Sequence, residues 1–186
     1  MQLNYKRIPP EFIENLPDGF AFLKKHGRTF LVVDRVTCPN GHSLMDSSVR
    51  IHGEPSIRMK LETGKSSGLL FVDAFWGGHQ KLYSFIPEQG IVKAFCPVCD
   101  ASLLVPEPCA EPGCGCQTGI LLNLPGDNNN GIRICAKLGC PGHRLVIDNE
   151  SSDVTRLIDD INNVDAAVVC GPGYFGTQDD DQFQGI

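Results

Sequence analysis

Thiolate and imidazole donors recur in close groups along this 186-residue chain, and no other feature constrains its fold as strongly. Four clusters hold them: Cys38-Pro-Asn-Gly-His42, Cys96-Pro-Val-Cys99, Cys109-Ala-Glu-Pro-Gly-Cys114-Gly-Cys116 and Cys135-Ala-Lys-Leu-Gly-Cys140-Pro-Gly-His143. A tetrahedral metal site draws two ligands from each of two tight turns, and these spacings suit such turns. Of the nine cysteines, Cys170 alone stands outside the clusters. A chain built this way is expected to close its turns on metal ions.

Disulfides are the competing use of so many cysteines, and they require an oxidising compartment. The segment Met1–Pro10 has no apolar export region, so a cytoplasmic, reducing setting and metal ligation are expected. A hydrophobic content of 41% with 20% charged residues is that of an ordinary globular chain, and no apolar run approaches the length of a membrane span.

Cys38, His42, Cys96 and Cys99 form the first expected set. Three thiolates and one imidazole complete a tetrahedron and leave no position for water, which is the mark of a structural zinc site. Iron is an alternative ion, although its rubredoxin-like sites usually take four cysteines. The second set is over-supplied, with Cys109, Cys114, Cys116, Cys135, Cys140 and His143 for four positions. The favoured quartet takes Cys109, Cys114 or Cys116, Cys135 and Cys140, with His143 as a replacement for Cys135. Two metals with bridging thiolates are an alternative, as is a water-bound zinc with an open, catalytic position. Zn2+ is thus the expected cofactor, at two sites.

The strand pattern is mostly β. Phe20–Lys25 and Arg28–Val33 read as a hairpin, and Ser47–Ile51, Ile57–Glu62, Leu69–Ala74, Lys81–Ile86 and Ile91–Phe95 as further strands. Ile57–Glu62 alternates strictly, as a half-buried strand does. Ile120–Leu122 and Ile132–Ile134 are short strands beside the second set. A helical turn over Glu11–Asn15, a helix over 152–163 with Val154, Leu157, Ile158 and Ile161 on one face, a strand over Ala166–Cys170 and a loose acidic tail over Thr177–Ile186 complete the reading. The fold class is therefore mainly β, with zinc-ribbon-type knuckles on small antiparallel sheets and one C-terminal α-helix. Residues 1–105 form a β-rich zinc-binding domain, and 106–186 a second knuckle region with the helix and tail.

Other motifs point away from chemistry on this chain. Gly64-Lys65-Ser66 lacks the earlier glycine of a phosphate loop, since position 59 is Met. Gly171-Pro-Gly-Tyr-Phe-Gly176 is followed by too little chain for the crossover helix of a dinucleotide fold. Cys170 reads as a core residue, as do Trp76, Phe71, Phe75, Tyr83 and Phe85, and His52 and His79 lack a catalytic partner pattern. The net charge of −6 gathers in residues 151–186, with seven acidic groups and one basic, and no basic stripe marks a nucleic-acid surface. Zinc-ribbon nucleic-acid binding is accordingly the third reading, after a structural subunit and a metalloenzyme.

The Cys38-Pro-Asn-Gly-His42 turn, followed about sixty residues later by Phe95-Cys96-Pro-Val-Cys99, resembles the small zinc-carrying subunit of the acetone and acetophenone carboxylases. The resemblance covers about residues 30–105. It implies a non-catalytic accessory subunit in a hetero-oligomeric complex with protein partners. Cys38, His42, Cys96 and Cys99 would be its zinc ligands, and the ATP and ketone chemistry would sit on the other chains.

Overall fold

The computed structural model describes residues 16–25, 28–78, 80–126 and 129–147. The expected helical turn at Glu11–Asn15, the helix over 152–163, the strand over Ala166–Cys170, the acidic tail, Cys170, His79 and the glycine motif beginning at Gly171 all lie outside these residues.

The described chain is mainly β, arranged in three antiparallel sheets. Strands β1 (Phe20–Lys25) and β2 (Arg28–Val33) form a two-stranded ribbon joined across residues 26–27, with Lys25 opposite Arg28. The middle sheet runs β3 (Met45–Ile51), β4 (Glu54–Thr63), β5 (Ser66–Val72) and β6 (Lys81–Tyr83). Its long β4 carries two neighbours along one edge. The first half pairs with β3, through Ile57 and Met45, and the second half with β7 (Lys93–Phe95), through Lys60 and Phe95. The third sheet has the order β11 (His143–Val146), β10 (Gly131–Cys135), β9 (Thr118–Asn123) and β8 (Leu104–Pro106).

Alternation decides which face of β4 is buried. Ile57, Met59, Leu61 and Thr63 are buried, while Arg58, Lys60 and Glu62 between them are partly exposed. Gly64 and Lys65 are the two turn residues between β4 and β5, and the Lys65 amide donates to the Glu88 carboxylate. That hairpin is the structural role of the phosphate-loop fragment noted in the sequence. Strand β6 stops at Tyr83, short of the expected Ile86, which is 89% exposed. Ile91 likewise lies outside β7, bridged to Lys137. Strands β8 and β11 are additions to the expected set, each only three or four residues long.

Buried residues from both sides of position 105 share one core. Val36, Leu61, Ala94, Cys96 and Leu122 are essentially inaccessible and belong to the same cluster. Backbone bonds tie the middle sheet to the third at Leu103 and Ala94 and beside their strands at Val92 and Ala136, and Thr37, between β2 and β3, bonds to Asn123 of β9. Trp76 is buried as expected, its ring edge-on to Phe20 and to His143, each at 5.2 Å. Phe71 and Phe75 are buried, and Tyr83 and Phe85 pack against the same core.

Across β10 and β11, Arg133 directly faces Arg144. Like charges in that position repel. Glu107, which follows β8 and is only 8% exposed, forms ion pairs with Arg133 and Arg144 and so links the three strands. Glu107→Ala is expected to destabilise the protein by about 2 kcal/mol, less than a fully buried pair because Arg144 is half exposed. Denaturant titration checks this, and an unchanged midpoint would contradict it.

Candidate metal centres

The Cys38 turn follows β2 and the Cys96 turn follows β7, so two separate parts of the chain bring donors to one place. Each turn closes on itself. The Cys38 amide donates to the His42 carbonyl at 3.0 Å, and the Cys96 amide to the Ala101 carbonyl at 2.9 Å. Between them the Cys38, His42, Cys96 and Cys99 donor atoms all lie within 4.8 Å of one another. Cys38 Sγ is 3.5 Å from His42 Nδ1 and 3.8 Å from Cys99 Sγ.

Those separations match a metal tetrahedron. Metal–sulfur bonds of about 2.3 Å at the tetrahedral angle set an S···S edge of about 3.8 Å, and a nitrogen donor shortens the mixed edge to about 3.5 Å. A disulfide would require the sulfurs to be about 2 Å apart. The eight described cysteines are all free.

The second centre gathers Cys109, Cys114, Cys135 and Cys140, again with all four donor atoms within 4.8 Å. Cys109 and Cys140 Sγ are 3.7 Å apart, and Cys114 and Cys135 Sγ 3.6 Å. Here too each turn is backbone-closed. The Cys109 amide donates to the Cys116 carbonyl, and the Cys135 amide to the Gly142 carbonyl, both at 2.8 Å. Of the six candidates in the sequence, the structure brings these four together and leaves Cys116 and His143 beside them. Cys116 Sγ donates to the Thr118 carbonyl at 3.4 Å. The His143 ring lies against Trp76, with Nδ1 2.9 Å from the Pro141 carbonyl.

Backbone amides point at the sulfurs in both centres. Val98 N–H donates to Cys96, Glu111 N–H to Cys109, Lys137 N–H to Cys135 and Gly142 N–H to Cys140, each at 3.4 Å. Such bonds stabilise thiolate charge and orient ligands. The Ala101 amide is the main reason that the Cys99 thiol falls to about 6, helped by the Asn40 side chain. The Cys116 amide does the same for Cys114, which falls to about 7. Burial pushes Cys96, Cys135 and Cys140 the other way. Each centre thus pairs a thiol that ionises readily with buried thiols whose negative charge needs a compensating cation. A divalent ion among the four donors would supply it. Both groups can hold a metal ion on this chemistry.

Gly142 fits the second centre through its lack of a side chain. A Cβ there would stand 2.6 Å from Cys109 Sγ and 3.3 Å from Cys140 Sγ. Gly142→Ala is therefore expected to lower metal affinity at this centre about tenfold, as an altered ligand surround does. A competing chelator measures the change, and unaltered retention would show that the sulfurs have room to move.

Lys81 is drawn into the same neighbourhood. Burial lowers its pKa, while the adjacent Cys140 and Cys135 oppose that shift. No described helix is long and apolar enough to cross a membrane. Comparison of the chain with protein families, with curated proteins and with solved structures gives no match.

Proposed function

We propose that this chain is a structural zinc protein with two closed centres, serving as an accessory subunit within a larger protein assembly. The observation that carries the metal reading is the set of S···S and S···N separations, 3.5–3.8 Å, at the edge lengths of a zinc tetrahedron. The first centre takes Cys38, His42, Cys96 and Cys99, and the second Cys109, Cys114, Cys135 and Cys140. Knuckles that end short antiparallel strands support a zinc-ribbon description of both. Zinc is preferred because thiolate-rich, four-coordinate, closed sites are its usual structural form. Four protein donors leave no place for a bound water, so the proposal assigns the metals to folding and the molecular function to an interaction surface.

The accessory role rests on the closed centres together with the resemblance to carboxylase small subunits noted in the sequence. Its contact is proposed to be the acidic segment 151–186, which carries seven acidic groups against one basic. A basic partner surface would suit it, and the contact would weaken with salt. Purification of the native chain from its source tests the assignment. It should carry two zinc per chain and retain a stoichiometric protein partner. A metal-free chain would end the first half of the proposal, and a monomer that turns over a substrate would end the second. Deleting residues 151–186 is expected to leave both metals bound while reducing partner retention in a pull-down. Full retention would place the contact elsewhere.

A further inference from the structure

One side of the second candidate centre borders open space. A cleft of about 130 Å³ is lined by Cys109 and Cys135, one donor from each knuckle, and by Gly142, Ala110 and Thr118. Gly142 marks how near the sulfurs lie, since a Cβ there would stand 2.6 Å from Cys109 Sγ and 3.3 Å from Cys140 Sγ. The residue that touches both sulfurs and also lines the cleft thus has no side chain to cover them. One water needs roughly 15 Å³ of such space, so a small molecule with a sulfur donor fits.

Both centres hold two buried and two half-buried donors, so exposure alone does not separate them. Attachment does. Cys38 and Cys96 are 1% and 0% exposed and belong to the main core. Cys135 and Cys140 sit in a separate cluster, with Cys109 and Cys114 packed on it. Withdrawing the first ion opens the core, whereas withdrawing the second opens two turns, and local opening costs less than global unfolding.

We infer that the second centre is a metal-transfer site, which gives its ion to, and takes it back from, small thiol ligands that enter by the cleft. The inference rests on the metal reading above and adds exchange to it. A closed tetrahedral zinc has no water to lose, so the incoming thiolate binds first, as a fifth ligand, before a cysteine leaves. Each Zn–S bond to the chain that breaks is replaced by one to the incoming sulfur. The proton shed by the incoming thiol passes to the released cysteine, and no electrons are transferred. A dithiol completes the exchange most readily, because its second sulfur attacks from within the same complex.

The experiment uses the full chain loaded with two zinc, and isotopically labelled zinc supplied as its dithiothreitol complex. One of the two equivalents should take up label at a rate proportional to the concentration of that complex, and the other at least about tenfold more slowly. Cys135→Ser, with one zinc, should lack the fast phase. Ala110→Trp and Thr118→Trp fill the cleft without removing a donor. They should hold two zinc at the parent's affinity while the fast equivalent exchanges several-fold more slowly. A dithiol coupled to a dextran carrier too large for the cleft makes the same test on the parent chain, where the fast phase should vanish. A rate independent of the complex concentration, two equivalents that exchange together, a fast phase that persists in Cys135→Ser or with the carrier, or an unchanged rate in zinc-replete forms of both tryptophan variants overturns the transfer site while leaving the metal centres standing. If the parent binds only one zinc, the metal reading itself fails, and the transfer site with it.

Discussion

Cys96→Ser is expected to lose the first metal and, with it, the folded state of the whole chain. Cys96 is fully buried, and Cys38 beside it is 1% exposed. Both belong to the main core cluster together with Leu61, Ala94 and Leu122. The first centre therefore ties β2 to β7 from inside the core. Cys96 closes strand β7, which leans on β4, and the Thr37–Asn123 bridge beside Cys38 joins this region to β9. Structural metal binding contributes on the order of 10 kcal/mol, as much as the whole stability of many domains. Without the metal, the three remaining donors are uncompensated polar groups, one of them, Cys38, inside the core. The expected outcome is insoluble or protease-sensitive protein with no residual metal at this centre. Solubility, limited proteolysis and elemental analysis measure it. A soluble Cys96→Ser chain with two zinc and an unchanged melting temperature would show that the first centre holds no structural ion.

Donor spacing made the first centre legible in the sequence because its residues number four and the tetrahedron needs four. The second was legible as a favoured quartet that left Cys114 or Cys116 open and held His143 as a replacement for Cys135, and the structure gathers Cys109, Cys114, Cys135 and Cys140. Cys116 and His143 have the same donor chemistry as their neighbours, and what separates them is direction. One places its thiol on the Thr118 carbonyl, and the other is turned onto the Trp76 ring. No one-dimensional spacing encodes that difference. Strand β4 was readable from its alternation, since burial on one face imposes a period of two. Strands β8 and β11 were not, because three or four residues cannot display a period, and β11 begins at a residue that also looks like a ligand. The Glu107–Arg133–Arg144 bridge was invisible for a further reason: it depends on the register that places the two arginines opposite each other. Register is a tertiary property, fixed here by Gly131 opposite Asn123 and Val146.

Cys135→Ser should remove the second metal while sparing the first, and its effect on the fold should be local. Cys116, Cys135 and Cys140 form a cluster of their own, apart from the main core. A second metal would join the turn after β8 to the end of β10 and the start of β11, at one end of the third sheet. Loss of the ion leaves Cys109, Cys114 and Cys140 crowded without their compensating cation, and the two backbone-closed turns separate. The middle sheet has no ligand there. Its β4–β5 pairing, which runs from Ile57–Val72 to Thr63–Ser66, does not depend on the second centre. Zinc content is accordingly expected to fall from two per chain to one. Hydrogen exchange should quicken in residues 107–118 and 135–146 while β4 and β5 stay protected, because opening a local unit costs less than global unfolding. Retention of both metals would remove Cys135 from the ligand set. Loss of both would show that the two centres fold as one cooperative unit, in spite of their separate clusters.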